Sequence, residues 1–337
     1  METIHIAVAS NQNYFCGLLV TVGSIAYHAS RDVNLMFHVL DGGIQDQTFS
    51  EMYDKIKRLH PRVKLNRISV NEDLFRNYPT WVGNRMAYAR FMLPDALPNV
   101  SHIIYSDVDF LWLIDIAQLW DECSDEEIFH GVLDAPGTIS KEEKWFRHHN
   151  LPFDSNSYFC SGMSIYNLDK FREEGTVQKL IEFLDCYPDV QFPDQAALNF
   201  VLRGRVKLLP EKWQTFSTSL TPQHVKGPLA IHYAGDAPWA RGKFWTYPIS
   251  DSTLLWYAML DYINGVRPGT SIKSHLSLWQ RIYKRSLANI HRYSAARTIF
   301  NYLLRVTGRA SYISNLDKFA IDLKLSKKVC RQIVLNR

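Results

Sequence analysis

Two aspartates separated by one residue, Asp107 and Asp109, closely follow a strand-like apolar segment at residues 102–105. In a β-strand, side chains two residues apart point to the same face, so both carboxylates can converge on one divalent cation. Mg²⁺ and Mn²⁺ prefer such oxygen ligands and complete their coordination with substrate phosphates and water. The pair therefore indicates a site for a nucleotide diphosphate compound. An isolated pair is also compatible with an ordinary strand end, in which one Asp caps a turn and the other is solvated.

The elements that would position this pair alternate between strand-like and helix-like segments over the first 265 residues. Strands are predicted at residues 3–9, 35–40, 64–68, 102–105, 129–133, 162–167, 206–209 and 229–232, and helices at residues 17–28, 46–60, 85–93, 176–186 and 195–202. This alternation is typical of an α/β fold with a mainly parallel central sheet and helices on both faces. Ligands of such folds bind outside the carboxyl ends of the strands, where Asp107 would lie.

Length and composition narrow the class of protein. A chain of 337 residues with 46% hydrophobic residues can bury a large α/β core and carry an appendage. Its five cysteines show no C-x-x-C pairing, which argues against a disulfide framework or a structural zinc site and fits a reducing compartment. The sequence starts with a strand-like segment and contains no apolar run of transmembrane length. We therefore expect a cytoplasmic protein.

The charge distribution separates a C-terminal region from the rest of the chain. Of the 38 Lys and Arg residues, 15 lie in residues 266–337, together with 2 of the 34 Asp and Glu residues. This region has a formal charge of +13, whereas residues 1–265 have −9. Turn residues near position 265 coincide with the change in charge. We therefore expect a catalytic domain at 1–265 and a basic, aromatic, mostly helical region at 266–337.

Apolar residues recur at helical spacing within the C-terminal region, with basic residues between them. They are Leu278, Trp279, Ile282, Tyr283, Leu287 and Ile290. Such a helix can lie on an anionic membrane surface, which predicts peripheral association with the inner face of the cytoplasmic membrane. The alternatives are a helical layer packed on the catalytic domain and a nucleic-acid-binding surface. The continuous apolar stripe favours the membrane surface and argues against a nucleic-acid partner.

Short segments around the aspartate pair occur in a distinctive order. They are Ala-Ser-Asn-Gln-Asn-Tyr at 9–14, Tyr-Ala-Arg at 88–90, Tyr-Ser-Asp-Val-Asp at 105–109, Ser-Gly-Met at 161–163, Pro-Asp-Gln-Ala-Ala-Leu-Asn at 193–199 and His-Tyr-Ala-Gly at 232–235. Together they resemble glycosyltransferase family 8, and within it the bacterial lipopolysaccharide core glucosyl- and galactosyltransferases. The resemblance implies a GT-A fold and a retaining transfer of glucose or galactose from a UDP-sugar to a glycan or glycolipid acceptor.

The resemblance also implies roles for individual residues. Asp107, Asp109 and His232 would hold Mn²⁺, with Mg²⁺ as the alternative, against the diphosphate; an imidazole ligand moves the preference toward Mn²⁺. Arg90 would stabilise charge on the leaving UDP, and the donor sugar would contact Asp194 and Gln195. The remaining nucleotide-binding candidates are Ala9, Asn11, Tyr14, Val108 and Gly235. A lone histidine after an apolar strand is also compatible with an ordinary core residue.

The chain departs from the family pattern at three places. Asn11 stands where relatives commonly have Asp, so the contact to uracil would use an amide oxygen. Ala196 replaces an acidic residue that has been a candidate nucleophile, which favours departure and attack on one face of the sugar. The lysine that usually precedes the Pro-Trp at 238–239 is missing, and Arg241 or Lys243 would replace it. The UDP affinity of the Arg241→Ala and Lys243→Ala variants tests this last hypothesis.

Two other classes of protein share parts of the pattern. Phosphatases of the haloacid-dehalogenase type also place D-x-D after an apolar strand, and they would release phosphate from phosphomonoesters without a nucleotide sugar. A non-catalytic, membrane-associated glycan-binding protein would bind glycans unchanged after Asp107→Asn. The presence of both carboxylates and of His232 favours the transferase.

Overall fold

The computed structural model describes residues 2–80, 85–220, 229–235, 237–240, 251–267 and 269–275. The chain is divided into two compact units, Met1–Ala234 and Gly235–Arg337. The predicted membrane-binding helix and the candidates Arg241 and Lys243 lie outside the described residues, and the domain boundary near residue 265 stays a prediction.

Ten strands are described, all in the first unit. They are β1 Thr3–Ser10, β2 Asn34–Asp41, β3 Val63–Ser69, β4 His102–Ser106, β5 Phe110–Trp112, β6 Phe129–Leu133, β7 Phe159–Asn167, β8 Val206–Leu209, β9 Thr215–Phe216 and β10 Ala230–His232. Seven form the central sheet in the order β3-β2-β1-β4-β7-β6-β8, and the others form a small sheet in the order β5-β10-β9. Within the central sheet, β7 runs antiparallel to β4 and β6, and the other pairs are parallel. The predicted α/β fold with a mainly parallel sheet is confirmed.

Helices connect most of these strands. The α-helices of the first unit are α1 Phe15–His28, α2 Asp46–Leu59, α3 Leu93–Ala96, α4 Ala117–Trp120, α5 Pro136–His148, α6 Leu168–Glu173, α7 Thr176–Cys186 and α8 Pro193–Val201. The short 3₁₀ helices lie at Gln12–Tyr14, Glu72–Phe75, Met86–Met92, Glu211–Trp213 and Ser217–Ser219. The helix predicted at residues 85–93 is therefore mostly a 3₁₀ helix. At the end of this segment the Arg90 carbonyl accepts from the N–H of Leu93, because Pro94 has no N–H to donate.

Apolar patterning explains how the helices pack on the sheet. In α2 the buried residues Met52, Ile56 and Leu59 recur at helical spacing, so one face packs inward and the rest is solvated. By contrast, α1 is buried continuously from Gly17 to Tyr27, because it lies between α2 and the small sheet strand β5. The 3₁₀ helix Gln12–Tyr14, which is capped by Asn11, therefore leads directly into a buried helix.

The direction of the strands brings distant parts of the sequence to one edge of the sheet. β1 and β4 are parallel, with Ala7 opposite Tyr105, so Ala9 lies level with Asp107. Because β4 and β6 are both antiparallel to β7, they run parallel to each other, and the carboxyl end of β6 lies at the same edge. Asp134 follows that end directly. The edge thus collects the polar residues that come after three strands.

The described part of the second unit consists of two helices, α9 Asp251–Ile263 and α10 Thr270–His275. The buried Asp261 carboxylate accepts hydrogen bonds from the backbone N–H groups of Gly269, Thr270 and Ser271, which fixes the turn between the helices. Among the residues that the structure describes, no helix combines the length and apolar character needed to cross a membrane.

One buried carboxyl group makes stability depend on pH. Glu142 in α5 is 1% exposed and accepts a hydrogen bond of 2.7 Å from the Tyr158 hydroxyl. Burial raises the pKa of Glu142 from 4.5 to about 7, although the tyrosine lowers it. Because the pKa of this group is higher in the folded protein than in the unfolded chain, its contribution to stability is fully present at pH values below the unfolded-chain pKa. The contribution is lost as the pH rises through the pKa of the folded protein.

We therefore expect wild-type protein to lose on the order of 2–3 kcal/mol of unfolding free energy, relative to Glu142→Gln, between about pH 5 and about pH 8. The side-chain amide of the Glu142→Gln variant is neutral over this whole pH range, so its stability lacks this dependence on pH. Urea denaturation at both pH values measures the difference, and Glu143→Gln, on the neighbouring residue, serves as the control. Parallel pH profiles for wild type and Glu142→Gln would show that this carboxyl does not titrate in the way described.

Candidate active site

The Asp107–Asp109 segment is fixed by backbone contacts on both sides. The backbone N–H of Asp107 donates to the carbonyl of Gly162 on β7 at 2.7 Å. The buried Thr21 hydroxyl of α1 lies 2.9 Å from the Val108 carbonyl and 2.8 Å from the Phe110 carbonyl. Helix α1 and strand β7 therefore hold the loop rigidly, and Val108 packs inward at 8% exposure while its two neighbours present their carboxylates.

His232 reaches this loop through the small sheet. In the antiparallel pairing of β5 with β10, His232 lies opposite Phe110, which directly follows Asp109. The imidazole stacks on Phe110 with ring centroids 4.3 Å apart and on Phe216 at 5.5 Å. Its Nε2 atom lies 3.3 Å from Asp109 Oδ1. The aromatic rings on either side thus hold the histidine edge-on to the carboxylates.

The structure brings together the three residues that the sequence proposed as metal ligands. One ligand atom from each of Asp107, Asp109 and His232, hereafter the Asp-Asp-His triad, lies within 4.8 Å of the others. Asp109 Oδ1 is buried, and although His232 Nε2 lies 3.3 Å away, the described residues give it no hydrogen bond of normal geometry. A buried carboxylate oxygen without a donor is costly unless a cation satisfies it. Two carboxylates and an imidazole form a donor set that suits a divalent metal ion such as Mn²⁺.

The absence of a side chain at Gly162 makes room for the triad. A Cβ atom at this position would lie 2.6 Å from His232 Cε1, 3.1 Å from Nε2 and 3.3 Å from Asp107 Oδ2. Any side chain here would therefore displace the ring or the carboxylate. The Ser-Gly-Met segment of the sequence owes its glycine to this close approach.

The electrostatics of the triad favour positive charge. Burial raises the pKa of Asp107 to about 6, with the Asp109 carboxylate acting in the same direction and Arg90 opposing both. Burial lowers the pKa of His232, but the Asp109 carboxylate opposes this effect and the pKa ends well above its usual value. Both shifts reflect carboxylates crowded into a site of low polarity, which attracts protons or a metal ion.

Arg90 connects the triad with the second acidic segment. Its guanidinium, 2% exposed, donates to Asp107 Oδ1 at 2.8 Å and to the carbonyl of Ser161 at 2.6 Å, and it lies 3.2 Å from Asp194 Oδ2. The group also lies over the Tyr105 ring, 4.3 Å from its centroid. One buried cation therefore holds two acidic residues from distant parts of the chain, Asp107 and Asp194, at fixed positions.

The Asp194–Gln195 pair at the start of α8 is equally constrained. Asp194 accepts a hydrogen bond of 3.0 Å from the Ser161 hydroxyl. The Gln195 side-chain oxygen accepts from the backbone N–H of Ser161 at 3.0 Å, and its nitrogen donates to Asp134 Oδ2 at 2.8 Å. Both residues are buried. Their hydrogen bonds to Ser161 on β7 hold them at the same edge of the sheet as Asp107.

Asp134 is a site residue that the sequence reasoning missed. It is 5% exposed, and burial raises its pKa although the N–H of Ala135 and the amide of Gln195 lower it. The signal was available, because Asp134 directly follows the predicted strand at 129–133, at the carboxyl end where parallel sheets bind ligands.

The first segment of the motif series lies at the same edge of the sheet. Asn11 follows β1, and its side-chain nitrogen donates to Glu72 Oε1 at 3.0 Å while its oxygen accepts from the N–H of Asn13 at 3.1 Å. Ala9 is buried, and Tyr14 is half-buried at the end of a 3₁₀ turn. Glu72 was not expected from the sequence; it gives the amide of Asn11 a defined orientation.

The binding roles of the remaining nucleotide-binding candidates stay predictions. Gly235 belongs to the second unit, and Arg241 and Lys243 lie outside the described residues. The binding roles assigned to Ala9, Asn11, Tyr14 and Val108 likewise remain expectations.

Comparison with known sequences identifies relatives of the chain. The family model for glycosyl transferase family 8 matches residues 5–247. The lipopolysaccharide 1,2-glucosyltransferase of Escherichia coli (strain K12) is 27% identical over 267 residues, covering 73% of this chain and 75% of that protein. General stress protein A of Bacillus subtilis (strain 168) is 25% identical over 263 residues, covering 71% of this chain and 88% of that protein.

Solved structures agree in fold. A complex of the galactosyltransferase LgtC with donor and acceptor sugar analogues gives a TM-score of 0.66 at 21% identity, covering 81% of this chain and 100% of that one. The bifunctional glycosyltransferase WbbM gives 0.60 at 20% identity over 72% of this chain, which spans 47% of the WbbM chain. These likenesses show the GT-A fold. Because the family model spans well over half of the sequence and includes the whole Asp-Asp-His triad and, apart from the first two residues of β1, the central sheet, the chain belongs to glycosyltransferase family 8.

Proposed function

We propose that the protein is a retaining, metal-dependent transferase that moves a hexose from a UDP-sugar to a glycan acceptor. The observation that carries this proposal is the Asp-Asp-His triad, assembled at the carboxyl edge of a GT-A sheet. The names of the relatives support the sugar class, since one is a glucosyltransferase and one a galactosyltransferase. The proposed donor is accordingly UDP-glucose or UDP-galactose.

The triad is the proposed holder of the divalent cation. The unsatisfied Asp109 Oδ1 favours a bound cation, and the imidazole nitrogen of His232 favours Mn²⁺ over Mg²⁺. When bound, the cation would neutralise charge on the diphosphate and act as a Lewis acid while UDP leaves.

The protein groups around the triad provide orientation. Arg90 keeps Asp107 and Asp194 in place through short hydrogen bonds and ion pairs, so neither carboxylate has to reorganise when the donor binds. We assign Arg90 a second role beside the leaving diphosphate, where its positive charge stabilises the developing negative charge. Asp194 and Gln195, aligned by Ser161, are the proposed contacts to the hydroxyls of the donor sugar.

Retention of configuration is proposed to proceed on one face of the sugar. The residue after Gln195 is Ala196, which is fully buried and offers no nucleophile. Gln195 is held at both ends of its amide by Ser161 and Asp134, an arrangement that suits positioning of the sugar. We therefore infer that the acceptor attacks from the face that UDP leaves, without a covalent intermediate on residue 196.

Membership of the family favours glycosyl transfer over the haloacid-dehalogenase-type phosphatase. It leaves the acceptor to be identified. We propose lipopolysaccharide core or lipooligosaccharide as the acceptor class, because the Escherichia coli relative is a lipopolysaccharide glucosyltransferase. The excess positive charge of residues 266–337 suits a cytoplasmic protein bound to the inner face of an anionic membrane.

The direct test of the proposed reaction is UDP release from a panel of UDP-hexoses with Mn²⁺, with and without EDTA. We expect release from UDP-glucose or UDP-galactose that EDTA abolishes and that Asp107→Asn lowers by about 100-fold or more, since a bound metal contributes several kcal/mol. Asp54→Asn, on the exposed face of α2, is the matched control. Without an acceptor, water takes up the hexose, and NMR recorded before mutarotation should show that the free sugar is released with the anomeric configuration of the donor.

Phosphate release from simple phosphomonoesters, without any nucleotide sugar, would instead support the phosphatase. Glycan binding that survives Asp107→Asn, with no turnover of any donor, would support the non-catalytic binding protein.

Gly162→Ala tests the space that the triad needs. The added methyl group would overlap His232, so we expect Mn²⁺ affinity in the presence of UDP to fall by about 10- to 100-fold, the range seen when a ligand's supporting contacts are lost. Isothermal titration calorimetry measures the affinity. Gly137→Ala is the matched control, because a Cβ there meets no atom within 4 Å. Equal Mn²⁺ affinity for both variants would contradict the tight packing described.

Membrane association is tested by truncation after His275. Cutting at residue 265 would remove Gly269, Thr270 and Ser271, which satisfy the buried Asp261, so the later site is the cleaner one. We expect the truncated protein to lose about 100-fold or more in affinity for vesicles containing anionic phospholipid, at roughly 1 kcal/mol per basic residue near the surface. Vesicles of neutral phospholipid are the control. Unchanged sedimentation with anionic vesicles would exclude this region as the membrane-binding element.

A further inference from the structure

We propose that Cys160 is a positioning residue that holds His232 in its metal-binding orientation. The inference rests on the proposed metal-dependent function and adds a residue that the sequence motifs do not assign. Cys160 lies on β7, is 6% exposed, and places its Sγ atom 3.9 Å from His232 Nδ1, within hydrogen-bonding reach of sulfur.

The two nitrogens of the His232 ring have different neighbours. Nδ1 faces the Cys160 thiol, and Nε2 faces Asp109 Oδ1 at 3.3 Å. A neutral imidazole carries one N–H and one lone pair, and a metal ion needs the lone pair. If Nδ1–H donates to the sulfur, the lone pair is on Nε2, on the side of the carboxylates.

Stacking alone does not select this arrangement. Phe110 and Phe216 fix the plane of the imidazole, but a half-turn about its Cβ–Cγ bond exchanges the nitrogen and carbon edges and keeps the stacking. Ligands of metals usually obtain their orientation from a hydrogen bond at the other ring nitrogen, most often to a carboxylate or a carbonyl. In this site the thiol of Cys160 occupies that position.

The strand geometry explains why residue 160 can act in this way. Cys160 and Gly162 lie two residues apart on β7 and both face His232, at a point where the pairing of β7 with β6 is irregular. The glycine admits the ring, and the cysteine contacts its edge. Ser161, between them, bonds to Asp194 and Gln195. Three consecutive residues of β7 therefore contact both His232 and the Asp194–Gln195 pair.

The test measures metal affinity directly. Electron paramagnetic resonance of free Mn²⁺, in the presence of saturating UDP, gives the dissociation constant for wild type, Cys160→Ala and Cys160→Ser. We expect Cys160→Ala to weaken Mn²⁺ binding by about 10- to 100-fold and Cys160→Ser, which restores an acceptor at similar volume, to recover most of it. Mg²⁺ affinity should change less, because Mg²⁺ depends less on a nitrogen ligand. Cys186→Ala, at an exposed position, is the control.

A double-mutant cycle separates positioning from general damage to the fold. In a His232→Ala background, Cys160→Ala should cause no further loss of Mn²⁺ affinity, since the residue acts through the missing ring. An additive loss, or Mn²⁺ affinity unchanged in Cys160→Ala, would overturn the inference. Wild-type protein that binds no Mn²⁺ with UDP would overturn both this inference and the metal-dependent function. Wild-type binding that Cys160→Ala weakens, without turnover of any UDP-hexose, would overturn the proposed function alone.

Discussion

The site depends on the crowding of carboxylates at one edge of the central sheet. Asp107, Asp109, Asp134 and Asp194 lie there beside one guanidinium, Arg90, and one imidazole. Buried charges of one sign are unfavourable unless they are paired or coordinate a metal. Arg90 pairs two of these carboxylates, an amide contacts a third, and the Asp-Asp-His triad is left with an unsatisfied oxygen. Carboxylates therefore outnumber the cationic groups at this edge, which favours the binding of a cation.

Much of the surrounding structure serves to keep that crowded edge in one geometry. Thr21 anchors the aspartate loop to a fully buried helix, and the pairing of β5 with β10 brings His232 to it from more than a hundred residues away. On strand β7, Cys160 contacts the histidine, Ser161 bonds to Asp194 and Gln195, and Gly162 leaves room for the histidine ring. A rigid scaffold of this kind costs no reorganisation when charge develops on a leaving group.

The sequence predicted the fold and part of the site. Each of the eight predicted strands overlaps a strand of the structure. Helix α5 was missed because its buried stripe, Ile139, Glu142 and Phe146, has a carboxyl group at its centre. The proximity of His232 to Asp109 followed from family resemblance alone, since periodicity does not reveal pairing between distant short strands. Cys160 and Glu72 act through neighbours that only the folded chain brings near.

The central claim is that Asp107, Asp109 and His232 together bind one divalent cation. The most direct test is a crystal structure of the protein with UDP and Mn²⁺, in which anomalous scattering locates the ion. The account predicts one anomalous peak within coordination distance of both carboxylates and of His232 Nε2, and its loss in crystals of Asp109→Asn. An anomalous peak at another position, or bound UDP without an anomalous peak at this site, would contradict the claim.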